Sequence, residues 1–392
     1  MQVKLHNPTF GEEEIAAVVE VMRSTMVTSG AKVRAFEQAF HPNAVMCNSG
    51  SSANLLAIAA ATNPVMPDTL RPGDEVIVSA LSWATTVWPL VQHGLVPVIV
   101  DIDPDTLNID VNKVIDAAGK RTRAIMPVHV YGNPCELSPL TMIANDRDAC
   151  LIEDCCEALG ATYAGAPVGS FGSFGTFSFY FSHHMTTLEG GMVVTSSPIW
   201  ADLIRCLRAH GWTREMDEPK VENAQYPEID PRFLFVNSGY NLRATECQGA
   251  MGLIQLGKLA GFVEKRRHAA EMYNERFGRH RRWLRTQKET PGGKSSWFSY
   301  AIIVEPDAPF TAADLRKHFE AAGIETRAII CGNIAAQPAM KLYPHRVPFP
   351  LPHADHVMRA GFSIGCHQDV DSVAVAHVGD TLDDFMRARG YA

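Results

Sequence analysis

The stretch Ala44–Ala61, AVMCNSGSSANLLAIAAA, decides the fold. Ala44-Val45-Met46-Cys47 is a short apolar run of the kind that forms a buried strand. Small polar residues interrupt it from Asn48 to Asn54, and an apolar helical run follows over Leu55–Ala61. A strand, a turn of small residues and a helix start can bind phosphate, because free backbone N–H groups and the helix dipole both favour an anion there. Ser51 and Ser52 add hydroxyl donors, although serines in this place also serve as plain helix caps. The stretch is neither a Walker loop nor GxGxxG.

Outward from this unit the same rhythm repeats. Strands are predicted at Glu75–Ser79, Val96–Val100, Ala124–Val130 and Cys150–Glu153, with helices at Trp83–His93, Val111–Ala118 and Leu137–Ala144. Alternation of this kind predicts an open α/β sheet, mixed but mostly parallel, with helices on both faces. Ligands of such sheets bind beyond the carboxyl ends of the strands, so Gly50–Ser52, Ser82-Trp83 and Asp154 are expected to converge. A further strand pair, Phe177–Tyr180 and Met192–Thr195, brackets His183, His184 and Glu189-Gly190-Gly191 in FSFYFSHHMTTLEGGMVVT.

At the N-terminus, Thr9 and Glu12 have the spacing of a capping box, with Glu12–Glu14 as a solvated first turn. A second helix is expected near Lys32–Phe40. Thr213–Arg232 is polar, carries Pro219, Pro227 and Pro231, and reads as an excursion loop at a subunit contact. Ala250–Leu259 and Phe262–Phe277 read as two helices, the second leading out of a large domain (1–260) into a smaller C-terminal α/β domain (261–392). The small domain is expected to hold strands at Trp297–Val304 and Glu325–Ile330 and helices at Ala312–Ala322, Ala354–Met358 and Asp371–Arg387.

Composition narrows the function. The formal charge of −8 argues against a nucleic-acid partner, which usually meets a basic surface. No 18-residue apolar run is present, so no membrane span is expected. The nine cysteines are scattered and form no CxxC, which removes zinc and iron–sulfur spacing and suits a reducing cytoplasm. Asp154, closing a strand in Ile152-Glu153-Asp154-Cys155-Cys156-Glu157, can orient a histidine, bind a metal or pair with a pyridinium nitrogen. Trp83 suits either a ring platform or the core. Ser178 is placed to join the Gly50–Ser52 turn.

Seven motifs in order, GEEEI, NSGSSANL, VSALSWATT, IEDCCEALGA, SFGTFSF with EGGMVVT, GYNLRATECQGAMGLIQL and GIETR, resemble the sugar aminotransferase family typified by DegT, DnrJ, EryC1 and StrS. The resemblance covers nearly the whole chain. It implies an aspartate-aminotransferase-like fold type I and a pyridoxal phosphate cofactor. One position departs from the family. Its aminotransferases carry the cofactor on a lysine beyond the FSF triplet, whereas Phe177-Ser178-Phe179 and Tyr180-Phe181-Ser182 here lead to His183. No lysine occurs between Lys120 and Lys220. Imidazole forms no stable covalent link to pyridoxal but takes and gives protons near neutral pH.

Histidine at this position resembles the family's 3-dehydratases, in particular the branch acting on GDP-4-keto-6-deoxy-D-mannose in colitose-type O-antigen biosynthesis. That resemblance implies a non-covalent pyridoxal phosphate/pyridoxamine phosphate cofactor, glutamate as amine donor, and a product that sheds ammonia. His183 would move the proton at the reacting carbon. Asp154 would pair with the ring nitrogen, Trp83 would stack on the ring, Ser51, Ser52 and Ser178 would hold the phosphate, and Glu157 would sit at the cofactor's hydroxyl side. Asn241 resembles a residue that reaches a phosphate across a homodimer interface. His210, Arg243, Glu325 and Arg327 are expected toward the nucleotide sugar, with a structural Glu325/Arg327 pair as the alternative. His184 reads as a supporting or solvated histidine. A sister branch with a cysteine-held iron–sulfur cluster fits less well, because the cysteines after His183 are dispersed. The alternatives are an aminotransferase using another amine, and a non-catalytic protein that binds the cofactor or sugar nucleotide.

Overall fold

In a computed structural model the chain builds a seven-stranded sheet from the predicted alternation; the structure describes residues 1–217 and 224–391. The large sheet uses β1 (Ala44–Cys47), β2 (Glu75–Ser79), β3 (Val96–Val100), β4 (Thr122–Met126) and β5 (Cys150–Asp154). After a small hairpin, β6 (Thr162–Tyr163) with β7 (Ala166–Pro167), come β8 (Phe174–Ser178) and β9 (Gly191–Val194). The order is β1-β9-β8-β5-β4-β2-β3. Only β9 runs against its neighbours, pairing Phe177 with Met192 toward β8 and Met46 with Met192 toward β1. Burial on both faces explains why β1 reads as a continuous apolar run.

Helices α1 (Glu12–Ser24), α2 (Ala31–Phe40), α3 (Gly50–Ala61), α4 (Ala84–Gln92), α5 (Val111–Ala117), α6 (Leu137–Asp146) and α7 (Pro198–Arg208) clothe this sheet or lead into it. Helix α3 is apolar on every side, so it lies inside: Leu56, Ala57, Ile58 and Ala60 are fully buried. The cap of α1 differs from the expected one. Gly11 is the N-cap, and its N–H donates to the Glu14 carboxylate at 2.8 Å. Glu14 is buried rather than solvated, because Gln255 and Lys258 also donate to it at 2.8 and 2.7 Å.

The two helices expected at 250–259 and 262–277 are one, α8 (Glu246–Phe277), capped by Thr245 and Gln248. Gly257 and Gly261 do not interrupt it, so the expected boundary at 260 falls inside a helix. Beyond it, β10 (Leu284–Thr286), β12 (Ser299–Val304) and β13 (Gly361–Gly365) form an antiparallel sheet, while β11 (Gly293–Lys294) returns to pair with β6. Helices α9 (Ala312–Ala321), α10 (Pro352–Ala360) and α11 (Ser372–Arg387) cover it. The expected strand at Glu325–Ile330 is absent. That segment makes only isolated bridges, Arg327 with Ser363 and Ile330 with Gly332, because it turns toward the large sheet. In the expected excursion, Pro227 and Pro231 lie in described chain and Pro219 lies outside the described residues. No helix among the described residues is long and apolar enough to cross a membrane.

Candidate active site

The carboxyl ends of β1, β2, β5 and β8 open onto one cavity of about 460 Å³, a size suited to a small organic ligand. Ser51, Trp83, Asp154, Glu157, Ser178, His183 and Arg327 line it, as do Asn54, Thr85, Tyr180, Ser182, Glu189 and Phe298.

One end is the turn after β1. Ser49 caps α3: its hydroxyl accepts the N–H of Ser52 and its carbonyl that of Ala53. The N–H groups of Gly50 and Ser51 therefore have no protein partner among the described residues, at the positive end of a buried helix dipole. Gly50 lies so close to β8 that a Cβ there would stand 2.6 Å from Ser178 Cβ and 2.9 Å from Ser178 Oγ. Ser51 Oγ donates to Thr85 at 3.0 Å, which orients the hydroxyl at the cavity wall. Ser52, expected beside it, faces inward and donates to Asn48 Oδ1 at 2.6 Å, so it builds the turn and does not line the cavity.

Asp154 ends β5 with its carboxylate buried and held on both oxygens. Oδ2 accepts from Asn54 Nδ2 at 2.9 Å and Thr86 Oγ1 at 2.8 Å, and Oδ1 accepts the Cys156 N–H at 3.1 Å. Trp83, half exposed, is the N-cap of α4 and carries the Arg327 guanidinium 5.9 Å from its ring. Burial raises the Glu157 carboxyl to about 7, although it accepts the Tyr131 N–H at 3.1 Å and Arg327 opposes the rise. Burial, reinforced by Arg266, Arg327 and His6, lowers His183 to about 3. Its Nδ1 has no hydrogen-bond partner among the described residues. At neutral pH this imidazole is a free base.

His184 points away from the cavity. It is fully buried, and its Nε2 donates to the Ser296 carbonyl at 3.1 Å, which makes it a supporting and not a solvated histidine.

Three of the four expected substrate-side residues, His210, Arg243 and Glu325, do not line this cavity, and neither does Asn241, expected at a phosphate across a dimer interface. Glu325 anchors the N-terminus, accepting the Leu5 N–H at 3.0 Å and the Gln2 amide at 3.3 Å, and forms no pair with Arg327. His210, Asn241 and Arg243 form a separate cluster: Arg243 donates to Asn241 Oδ1 at 3.2 Å and to His210 Nε2 at 3.4 Å. Asn54 and Thr86, which hold Asp154, were not singled out from the sequence. Their only signal was membership in the NSGSSANL and VSALSWATT motifs.

Beneath the sheet, His129, Glu153 and Cys155 are close enough together to share an ion. In neutral His129, Nδ1 accepts the Cys135 N–H at 2.9 Å, so Nε2 carries the proton and turns it to Glu153 at 3.3 Å. No ring lone pair is left for a metal. Glu153 instead accepts the N–H groups of Gly169, Phe171 and Gly172, clamping the loop before β8.

The residues fit a pyridine-ring cofactor with a phosphate tail: an unpartnered helix start for the phosphate, a fixed carboxylate for the ring nitrogen and an aromatic wall for the ring face. Fold and cavity together define the aspartate-aminotransferase-like fold type I. The chain belongs to the DegT/DnrJ/EryC1/StrS aminotransferase family, whose model matches residues 8–383. It is 40% identical over 373 residues to the GDP-4-keto-6-deoxy-D-mannose 3-dehydratase of Yersinia pseudotuberculosis, covering 93% of this chain and 94% of that one. Among solved structures it resembles a GDP-4-keto-6-deoxymannose-3-dehydratase mutant with bound GDP-perosamine, at TM-score 0.90 and 36% identity over 97% of this chain and all of that one. It resembles equally a GDP-4-keto-6-deoxymannose-3-dehydratase with a trapped PLP-glutamate geminal diamine, at TM-score 0.89 and 36% identity over the same shares.

Proposed function

We propose that the chain is a pyridoxal phosphate-dependent 3-dehydratase of a nucleotide-linked 4-keto-6-deoxyhexose, GDP-4-keto-6-deoxy-D-mannose, with glutamate as amine donor. The observation that carries the reading is His183: a neutral imidazole, its Nδ1 without a hydrogen-bond partner among the described residues, lines the cavity where a transaminating relative needs a lysine. The relatives' activity on a GDP sugar, the GDP-perosamine bound in one neighbour and the glutamate adduct in another support the substrate pair.

When bound, the cofactor supplies an electron sink for carbanion chemistry. Ser51, Ser178 and the first N–H groups of α3 hold its phosphate. Asp154, fixed by Asn54 and Thr86, keeps the ring nitrogen protonated, and Trp83 covers one ring face. Glu157, titrating near 7, is suited to share a proton with the ring hydroxyl. His183 takes a proton from the reacting carbon and delivers one to the departing C3 hydroxyl of the sugar. A lysine at 183 would return a proton to the sugar's C4 and keep the nitrogen there. Histidine lets the deoxygenated product leave as a sugar enamine, which water hydrolyses to the 4-keto sugar and ammonia. Arg327, whose guanidinium forms no ion pair among the described residues, is suited to an anionic group of glutamate or of the nucleotide sugar.

Asn241, His210 and Arg243 stand apart from this chain's cavity, which favours a homodimer in which they complete the partner's site. The nine free cysteines favour a reducing cytoplasm as the place of action. The test offers GDP-, CDP-, UDP- and dTDP-linked 4-keto-6-deoxy sugars with glutamate. Formation of 2-oxoglutarate and ammonia with the GDP sugar supports the reading. An amino-sugar product would support an aminotransferase, and no turnover on any sugar a non-catalytic binder.

A further inference from the structure

No carboxylate among the described residues pairs with His183 to orient it. Its ring is held by aromatic edges: Phe298 at 4.9 Å and Tyr180 at 6.0 Å between centroids. Phe298 also touches the His184 ring at 5.8 Å, so one phenyl group bears on both histidines. What holds Phe298 is therefore what holds the proton-transfer group.

Phe298 follows Trp297, which adopts a left-handed backbone with φ of 50°, a strained conformation for a bulky residue that the surroundings must hold in place. Arg266 of α8 lies directly behind this bend, only 1% exposed. Its Nη1 donates to the carbonyls of Trp297, Phe298 and Cys366 at 3.3, 3.1 and 3.2 Å, and Nη2 donates to Gln368 at 3.3 Å. No carboxylate pairs with it among the described residues. Its Nε has no hydrogen-bond partner among the described residues. Burial lowers the guanidinium to about 10, so it stays charged at neutral pH beside the two histidines. His184 ties the same bend from the other side through the Ser296 carbonyl.

We infer that Arg266 and His184 are positioning residues for His183: together they fix the 296–298 bend, press Phe298 against the His183 ring, and set the Arg266 guanidinium beside it. The inference rests on the proposed dehydratase reading for its kinetic consequence but not for its structural one. The groups that bear on His183 are Arg266 from α8, Arg327 from the segment after α9, His6 from the N-terminal segment and the neighbouring His184; Glu157 shares the cavity. Arg266 and His184 are the two among them that also hold the bend.

The experiment follows the His183 ring by NMR in histidine-labelled holoenzyme, with His183→Asn assigning the signal, and measures kcat and KM in parallel. Arg266→Gln is expected to raise the His183 titration midpoint by about one pH unit or more, as loss of a nearby like charge should. Arg266→Lys should keep it nearer wild type. His184→Leu is expected to lower kcat about tenfold with KM little changed, since misplaced catalytic groups lose rate before binding. His184→Gln, which restores a donor to Ser296, should recover most of that loss. A folded Arg266→Gln chain with an unmoved midpoint would overturn the electrostatic role. If that variant does not fold, His184→Leu decides alone: equal kcat, or a loss not rescued by glutamine, overturns the positioning role. An enzyme that turns over no nucleotide sugar would defeat the proposed function, while the midpoint comparison would still judge Arg266.

Discussion

Replacing Asp154 with asparagine tests the floor of the cavity. The carboxylate accepts three donors, from Asn54, Thr86 and Cys156. An asparagine can turn its oxygen to only one side. With the oxygen toward Asn54 and Thr86, its amide faces the Cys156 N–H. The reverse orientation sets it against two donors, and Asn54 cannot flip to relieve them because its Oδ1 accepts Thr176 Oγ1 at 2.6 Å. At least one buried donor is left unpaired, a cost of about 1–3 kcal/mol. The larger loss is chemical. A carboxylate beside a pyridinium raises that group's pKa by roughly 1–3 units, which is about 1.4–4 kcal/mol of stabilisation for the protonated ring. Steady-state release of 2-oxoglutarate from glutamate should fall by about 10- to 1000-fold, with cofactor affinity falling too. A folded Asp154→Asn enzyme that keeps its rate within about twofold would refute the assignment of Asp154 to the ring nitrogen.

Three further outcomes are expected. Gly50→Ala places a methyl 2.6 Å from Ser178 Cβ, which should cost about 1–3 kcal/mol in denaturant unfolding and weaken cofactor binding by titration; an unchanged affinity would separate Gly50 from the phosphate. Glu157, raised to about 7 by burial, gives stability that is full below its unfolded value of 4.5 and lost as pH climbs through 7. Glu157→Gln should therefore gain in melting temperature over wild type between pH 5 and pH 8, and parallel melting curves would contradict the shift. His183→Lys should abolish dehydration and retain a cofactor mass after borohydride reduction, whereas wild type should retain none at this loop.

Much of the site was legible because its pieces are local. The β1 turn, Asp154 at the end of β5 and His183 after β8 each lie beside an unmistakable strand, and parallel topology carries them to one edge. What escaped depends on partners far along the chain. Asn54 and Thr86 reach Asp154 across 100 and 68 residues, and no local pattern announces it. Glu325 sits in a motif shared with Arg327, yet its carboxylate is taken by the N-terminal backbone. Glu14 looked solvated within a run of acids, but α8 brings Lys258 and Gln255 onto it. The same long helix hid the bend at Trp297 and the arginine behind it. His210 and Arg243 fall outside the single chain's cavity, where they were expected near the sugar nucleotide, and Asn241, expected to act across a dimer interface, lies with them.

The central claim is that histidine at 183 turns a transaminating scaffold to dehydration. The most direct measurement supplies the purified chain with cofactor, glutamate and GDP-4-keto-6-deoxy-D-mannose and weighs the sugar product while assaying free ammonia. Ammonia should form in step with a sugar that has lost its C3 oxygen and contains no nitrogen. A sugar that retains that oxygen and gains an amino group, with no ammonia released, would contradict it.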